Sequence, residues 1–169
     1  MQTKTGRELG GLAVMTLTGG ERLGRIADVV FHTGTGRVAG FLVDRGGLFA
    51  KHQFLAAGQI QSVGSDAVTV TAADALIASP PAADPSEVAS KSLDGRSVLS
   101  QSGTAIGKVS DIVVDTASLT VMSLLLATGL LDNALHGRPA LPFSFIQAIG
   151  ADSVIASNEY DPKNPTVQV

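Results

Sequence analysis

The chain has 169 residues, of which 44% are hydrophobic and 16% charged, a balance that supplies a buried core and excludes disorder for the bulk of it. With 12 Lys+Arg against 15 Asp+Glu the net charge is −3, so no basic field waits for a phosphate backbone and direct nucleic-acid binding is not expected. The absence of cysteine removes disulfides and thiolate chemistry and leaves only His32, His52 and His136 as neutral nitrogen ligands.

From the N-terminus, MQTKTGRELG lacks the apolar core of a signal peptide, and the expectation is a cytoplasmic chain that begins here. β-Branched and aliphatic runs then recur between turn signals, predicting strands near Leu12–Leu17, Arg22–His32, Arg37–Asp44, Gln53–Ala56, Ile60–Val63 and Ala67–Thr71. Gly19-Gly20, Gly34-Thr35-Gly36, Gly46-Gly47 and Gly64-Ser65-Asp66 supply the turns of an antiparallel meander. A short helix is predicted over Ala72–Ile77. Residues 79–90 carry three prolines and read as a linker that cannot continue a ladder.

Beyond the linker the pattern returns. At an offset of 83, Gly24, Asp28, Val38 and Leu42 fall on Gly107, Asp111, Val121 and Leu125; Leu9 and Val14 fall on Leu93 and Val98 at 84, and Leu55 and Val68 on Leu141 and Val154 at 86. The small drifts sit in loops, where length changes are tolerated, so the chain is two copies of one unit. The expected organisation is residues 1–78, a linker 79–90, residues 91–157 and a polar tail 158–169 outside the second unit. Val121–Leu131, the most apolar stretch, is about half the roughly 20 residues a spanning helix needs, and predicts a core strand with no membrane span.

Gly20–Leu48, GERLGRIADVVFHTGTGRVAGFLVDRGGL, followed by the Ile60–Val68 and Ile146–Val154 runs, resembles the PRC-barrel family, named for the cytoplasmic domain of the photosynthetic reaction-centre H subunit and found also at the C-terminus of the ribosome-maturation factor RimM. Thr104–Leu126 resembles it more loosely. The resemblance implies an all-β fold of two tandem, small six-stranded antiparallel barrels. It also implies a docking or assembly role rather than a reaction. Neither the leading domain of a RimM-like protein nor the membrane helix of an H subunit accompanies the barrels here.

The candidate chemistry is sparse. Asp28 and Asp111 could form a carboxylate pair only by facing one cleft, and a local role at a strand bend, accepting backbone or Arg hydrogen bonds, is the simpler expectation. The three histidines share no ligand spacing and are expected to be solvated. No nucleophile elbow and no phosphate-cradling loop occurs, so neither catalysis nor cofactor nor metal is expected. Leu48 and Phe49, with Leu130, Leu131 and Leu135, follow glycine bends where loops are usually polar; they either cap their own barrel ends or form an interaction surface. Val38–Val43 and Val121–Leu126 are apolar or small on both faces. That predicts a pseudo-two-fold packing of the barrels through the outward member of Phe41 or Leu42 against that of Leu124 or Leu125. The function expected is a non-catalytic interaction module for a protein partner or a second copy of itself, with a ribosome- or RNA-associated factor as the alternative.

Overall fold

The structure is a computed structural model that describes residues 2–48, 51–78, 84–129 and 138–163. The first half contains β1 (Thr3–Thr5), α1 (Gly6–Leu9), β2 (Ala13–Thr16), β3 (Arg22–His32), β4 (Val38–Asp44), β5 (Gln53–Ala56), β6 (Ile60–Val63), β7 (Ala67–Val70) and β8 (Leu76–Ile77). The second contains β9 (Glu87–Ala89), β10 (Ser97–Ser100), β11 (Ala105–Asp115), β12 (Thr120–Ala127), β13 (Ala140–Pro142), β14 (Ile146–Ile149) and β15 (Ser153–Ala156). The predicted helix over Ala72–Ile77 is a 3-10 turn, Ala73–Ala75, running into the two-residue edge strand β8.

Two sheets result, ordered β6-β7-β2-β3-β4-β5-β8 and β13-β12-β11-β10-β15-β14. They correct the expected antiparallel meander in one respect: β2 pairs with β7, and β10 with β15, in parallel. Each β6–β7 or β14–β15 hairpin swings round to the far side of the first long strand, and only this direction lets its second strand close against β2 or β10. Among the described residues no ladder joins β6 to β8 or β13 to β14, so the sheets are not shown as closed six-stranded rings.

The larger departure is an exchange of arms. β1, at the N-terminus, pairs with β11 in the second half, and β9, inside the expected linker, pairs with β3 in the first. The two arms are equivalent, since Thr3–Thr5 falls on Glu87–Ala89 at the offset of 84, and their registers are equivalent too: Thr5 opposes Val113 as Ala89 opposes Val30. At the centre, Val38 N–H donates to the Leu119 carbonyl at 2.9 Å and Val121 N–H to that of Gly36 at 2.7 Å, around a bridge between the equivalent residues Arg37 and Thr120. This reciprocity is that of a pseudo-two-fold axis.

The inward residues of both sheets form one continuous apolar cluster, from Val14, Phe31, Phe41 and Leu55 to Val98, Leu124, Leu126 and Leu141, all with no exposed surface. Leu9 and Leu93, on the turns behind the arms, join it. Gly24 and its counterpart Gly107 let neighbouring strands approach: a Cβ on either would strike the carbonyl oxygen of Asp44 or of Ala127. Tyr160, assigned above to a polar tail, is 5% exposed, stacks obliquely on Phe145 at 6.4 Å and donates its hydroxyl to the Ala140 carbonyl at 3.2 Å.

Candidate functional site

The seam between the halves carries the most organised polar chemistry. Asp28 and Asp111 each sit at a β-bulge, where the ladders to β4 and β12 slip by a residue. Just past the slip each carboxylate accepts the next backbone N–H, Val29 to Asp28 and Ile112 to Asp111, both at 2.8 Å. The remaining capacity goes to the opposite half. Asp28 accepts the Ser90 hydroxyl at 2.6 Å and the Lys91 N–H at 3.2 Å, while Asp111 accepts the Arg7 N–H at 3.3 Å. Each aspartate thus caps the turn that follows the other half's arm, supplying an acceptor to N–H groups that a turn's own hydrogen bonds leave unused.

Helix α1 carries a second cap of its own. Thr5 Oγ1 accepts the Glu8 N–H, and the Glu8 carboxylate accepts the Thr5 N–H at 2.7 Å, a capping box. Those hydrogen bonds, the backbone one foremost, hold the Glu8 carboxyl below its ordinary value. Ala89 has no such side chain at the equivalent place, and the following turn, Ser90–Leu93, is 3-10 rather than α-helical.

Between the two turns lies a cleft of about 460 Å³ on the pseudo-axis, lined by Gly6, Arg7, Asp28, Lys91, Asp94 and Asp111 among others. The sequence pattern placed Asp28 and Asp111 in equivalent positions, and the structure does bring both to one cleft. Each carboxylate is hydrogen-bonded both to its own strand and to the turn of the other half, and so clamps the two together there. Nothing in the residue types of Ser90, Lys91 and Arg7 marks them in the sequence as partners of these carboxylates. The offset that equates Leu9 with Leu93 also equates Gly6 and Arg7 with Ser90 and Lys91, which was the available signal.

Of the proposed packing residues, Phe41 and Leu124 point into the core, and Leu42 and Leu125 are the half-buried outward members. These two lie opposite Asp28 and Asp111 in the ladders. Cross-strand neighbours share a face, so Leu42 and Leu125 lie on the faces over which the other half's arm turns pass.

Of the apolar loop residues, Leu48 is 97% exposed at the tip of the β4–β5 hairpin. Phe49, Leu130, Leu131 and Leu135 lie outside the described residues. The hairpin is built by Gly46 and Gly47, both in the left-handed region, by Asp44 accepting the Gly46 N–H at 2.8 Å, and by Arg45 donating to the Leu23 carbonyl at 3.1 Å. Ile77, 45% exposed, is on edge strand β8 opposite Phe54 of β5, at the end of the sheet from which the hairpin leaves. His52 is exposed, His136 is outside the described residues, and His32 ends β3 with Nε2 at 3.6 Å from Glu87 Oε1.

No described helix is long and apolar enough to cross a membrane. The family model described as PRC-barrel domain matches residues 1–77 and again 85–161. A search of curated proteins finds no match to the chain.

Proposed function

The chain belongs to the PRC-barrel family as a tandem of two of its domains, and from that premise we propose that it is a non-catalytic interaction or assembly module that engages a protein through the β4–β5 hairpin. The observation that carries this reading is Leu48: a leucine held almost wholly in water at the tip of a hairpin whose base is fixed by Asp44 and Arg45. Burying such a side chain against a partner is worth about 1.5–3 kcal/mol, and Ile77 on the edge strand β8 is a second exposed aliphatic side chain. The clamps at Asp28 and Asp111 fit the same reading, because they join the halves into one body.

The test is affinity capture from the native cell with wild-type protein and a Leu48→Asp variant in parallel, together with light scattering at rising concentration. A partner, or a second copy, that is lost from Leu48→Asp at unchanged melting temperature is the expected result. Equal capture by both proteins, or co-sedimentation with ribosomal subunits that Leu48→Asp leaves intact, overturns it.

A further inference from the structure

We propose that His32, Asp84 and Glu87 form a binding site for one divalent transition-metal ion, which staples the β9 arm of the second half onto β3 of the first. The three side chains each offer one ligand atom, and these atoms lie within 4.8 Å of one another. His32 and Glu87 are directly opposed in the β3–β9 ladder. Their Nε2 to Oε1 separation of 3.6 Å is close to the edge, about 3.4 Å, of a tetrahedron with metal–ligand bonds of about 2.1 Å.

Asp84 reaches the same point because the chain turns back on itself just before the arm. The Glu87 N–H donates to the Asp84 carbonyl at 3.0 Å, and the Ser86 N–H and hydroxyl donate to the Asp84 carboxylate at 2.9 and 2.7 Å. Thr33 pins this turn to the end of β3, its N–H and hydroxyl both donating to the Ser86 carbonyl at 2.8 and 3.1 Å. One imidazole nitrogen with two carboxylate oxygens is a donor set for zinc, manganese, cobalt or nickel, and it leaves further positions to water.

The fold does not require the cluster. At the equivalent ladder positions in the other half stand Asp115 and Thr3, and Asp115 is engaged by the Ser118 hydroxyl at 2.6 Å. The site therefore belongs to one arm only, and it lies away from the Asp28 and Asp111 clamps and from the Leu48 hairpin.

The test is calorimetric titration of the full chain with Zn²⁺, repeated with Co²⁺ to read its visible d–d bands. One ion per chain and a melting temperature raised by several degrees are expected, with little effect of Mg²⁺ or Ca²⁺ at the same concentration. His32→Ala should abolish binding. Asp84→Asn, which keeps an acceptor for Ser86 at an exposed position and so leaves the fold intact, should weaken it at least fivefold. No heat and no stabilisation at millimolar Zn²⁺, equal stabilisation by Mg²⁺, or binding that survives His32→Ala and disappears with His52→Ala, each overturns the proposal.

Discussion

Asp28 and Asp111 occupy equivalent bulges yet do unequal work, because Asp28 accepts two donors from the opposite half and Asp111 one. A hydrogen bond to a charged group contributes about 1.5–3 kcal/mol, so Asp28→Ala should destabilise the protein by about 3 kcal/mol and Asp111→Ala by about half of that. Denaturant unfolding of both variants checks the order as well as the size. Tyr160 gives a second, pH-dependent expectation. Burial raises its phenol from 10.0 to about 12, with Asp161 adding to the effect. The folded state therefore favours the protonated ring, and this contribution is complete below pH 10 and lost as pH rises through 12. Wild-type stability should fall across that window. Tyr160→Phe should be about 1 kcal/mol less stable at neutral pH and should lack this alkaline component of the loss.

At the scale of elements, the β3–β4 turn and its counterpart show what repetition preserves when the residues change. Gly36 has φ of 72° and Leu119, at the equivalent place, 53°, making it the only non-glycine described residue in that region. A Cβ at Gly36 would also meet the Val121 carbonyl at 3.0 Å and the Phe143 ring at 3.3 Å, both in the other half. Gly36→Ala should thus cost more than the about 1–2 kcal/mol that the backbone conformation alone demands, and a melting curve checks it. Helix α1 supplies an acid-side test. The Glu8 carboxyl is depressed by its capping box, so its contribution is present above its unfolded value near 4.5 and is lost as pH falls through the folded one. Removing the cap with Thr5→Ala should lower stability at neutral pH and flatten the decline below pH 4.5.

The long strands and their turns were legible because glycines and aliphatic runs mark them locally. Strand β9 was not, since Glu87–Ala89 sits beside the prolines of residues 79–86 and three residues make no periodicity. The cue was again the offset of 84 that carries Thr3–Thr5 onto them. Which strand an arm chooses leaves no local mark at all: β1 pairs far along the chain for the same local geometry that would have suited its own half. His32 was legible as a histidine but not as a neighbour of Asp84 and Glu87, because that proximity exists only once the arm has crossed. Tyr160, the single tyrosine, stood in a polar tail and gave no pattern to count.

At the scale of the whole molecule, neither half completes its own sheet. Cleavage in the segment 79–83 should leave two fragments that remain associated through β1, β9 and the caps, and the intact chain should melt in one transition. Calorimetry, and size-exclusion chromatography after cleavage, test both. Two separate transitions in the intact chain would mean that the crossed arms contribute little coupling. The arms also set a condition on biosynthesis. Thr3–Thr5 leaves the ribosome well before its ladder partner Val113–Asp115, which is made only after the rest of the first half has followed. β1 must therefore wait without that partner while the sheet of its own half is completed by β9 of the later-made half. β1 is thus made before the strand it docks on, and a ribosome-stalled chain ending before Ala105 should hold β1 open to proteases even when β2–β7 are already protected.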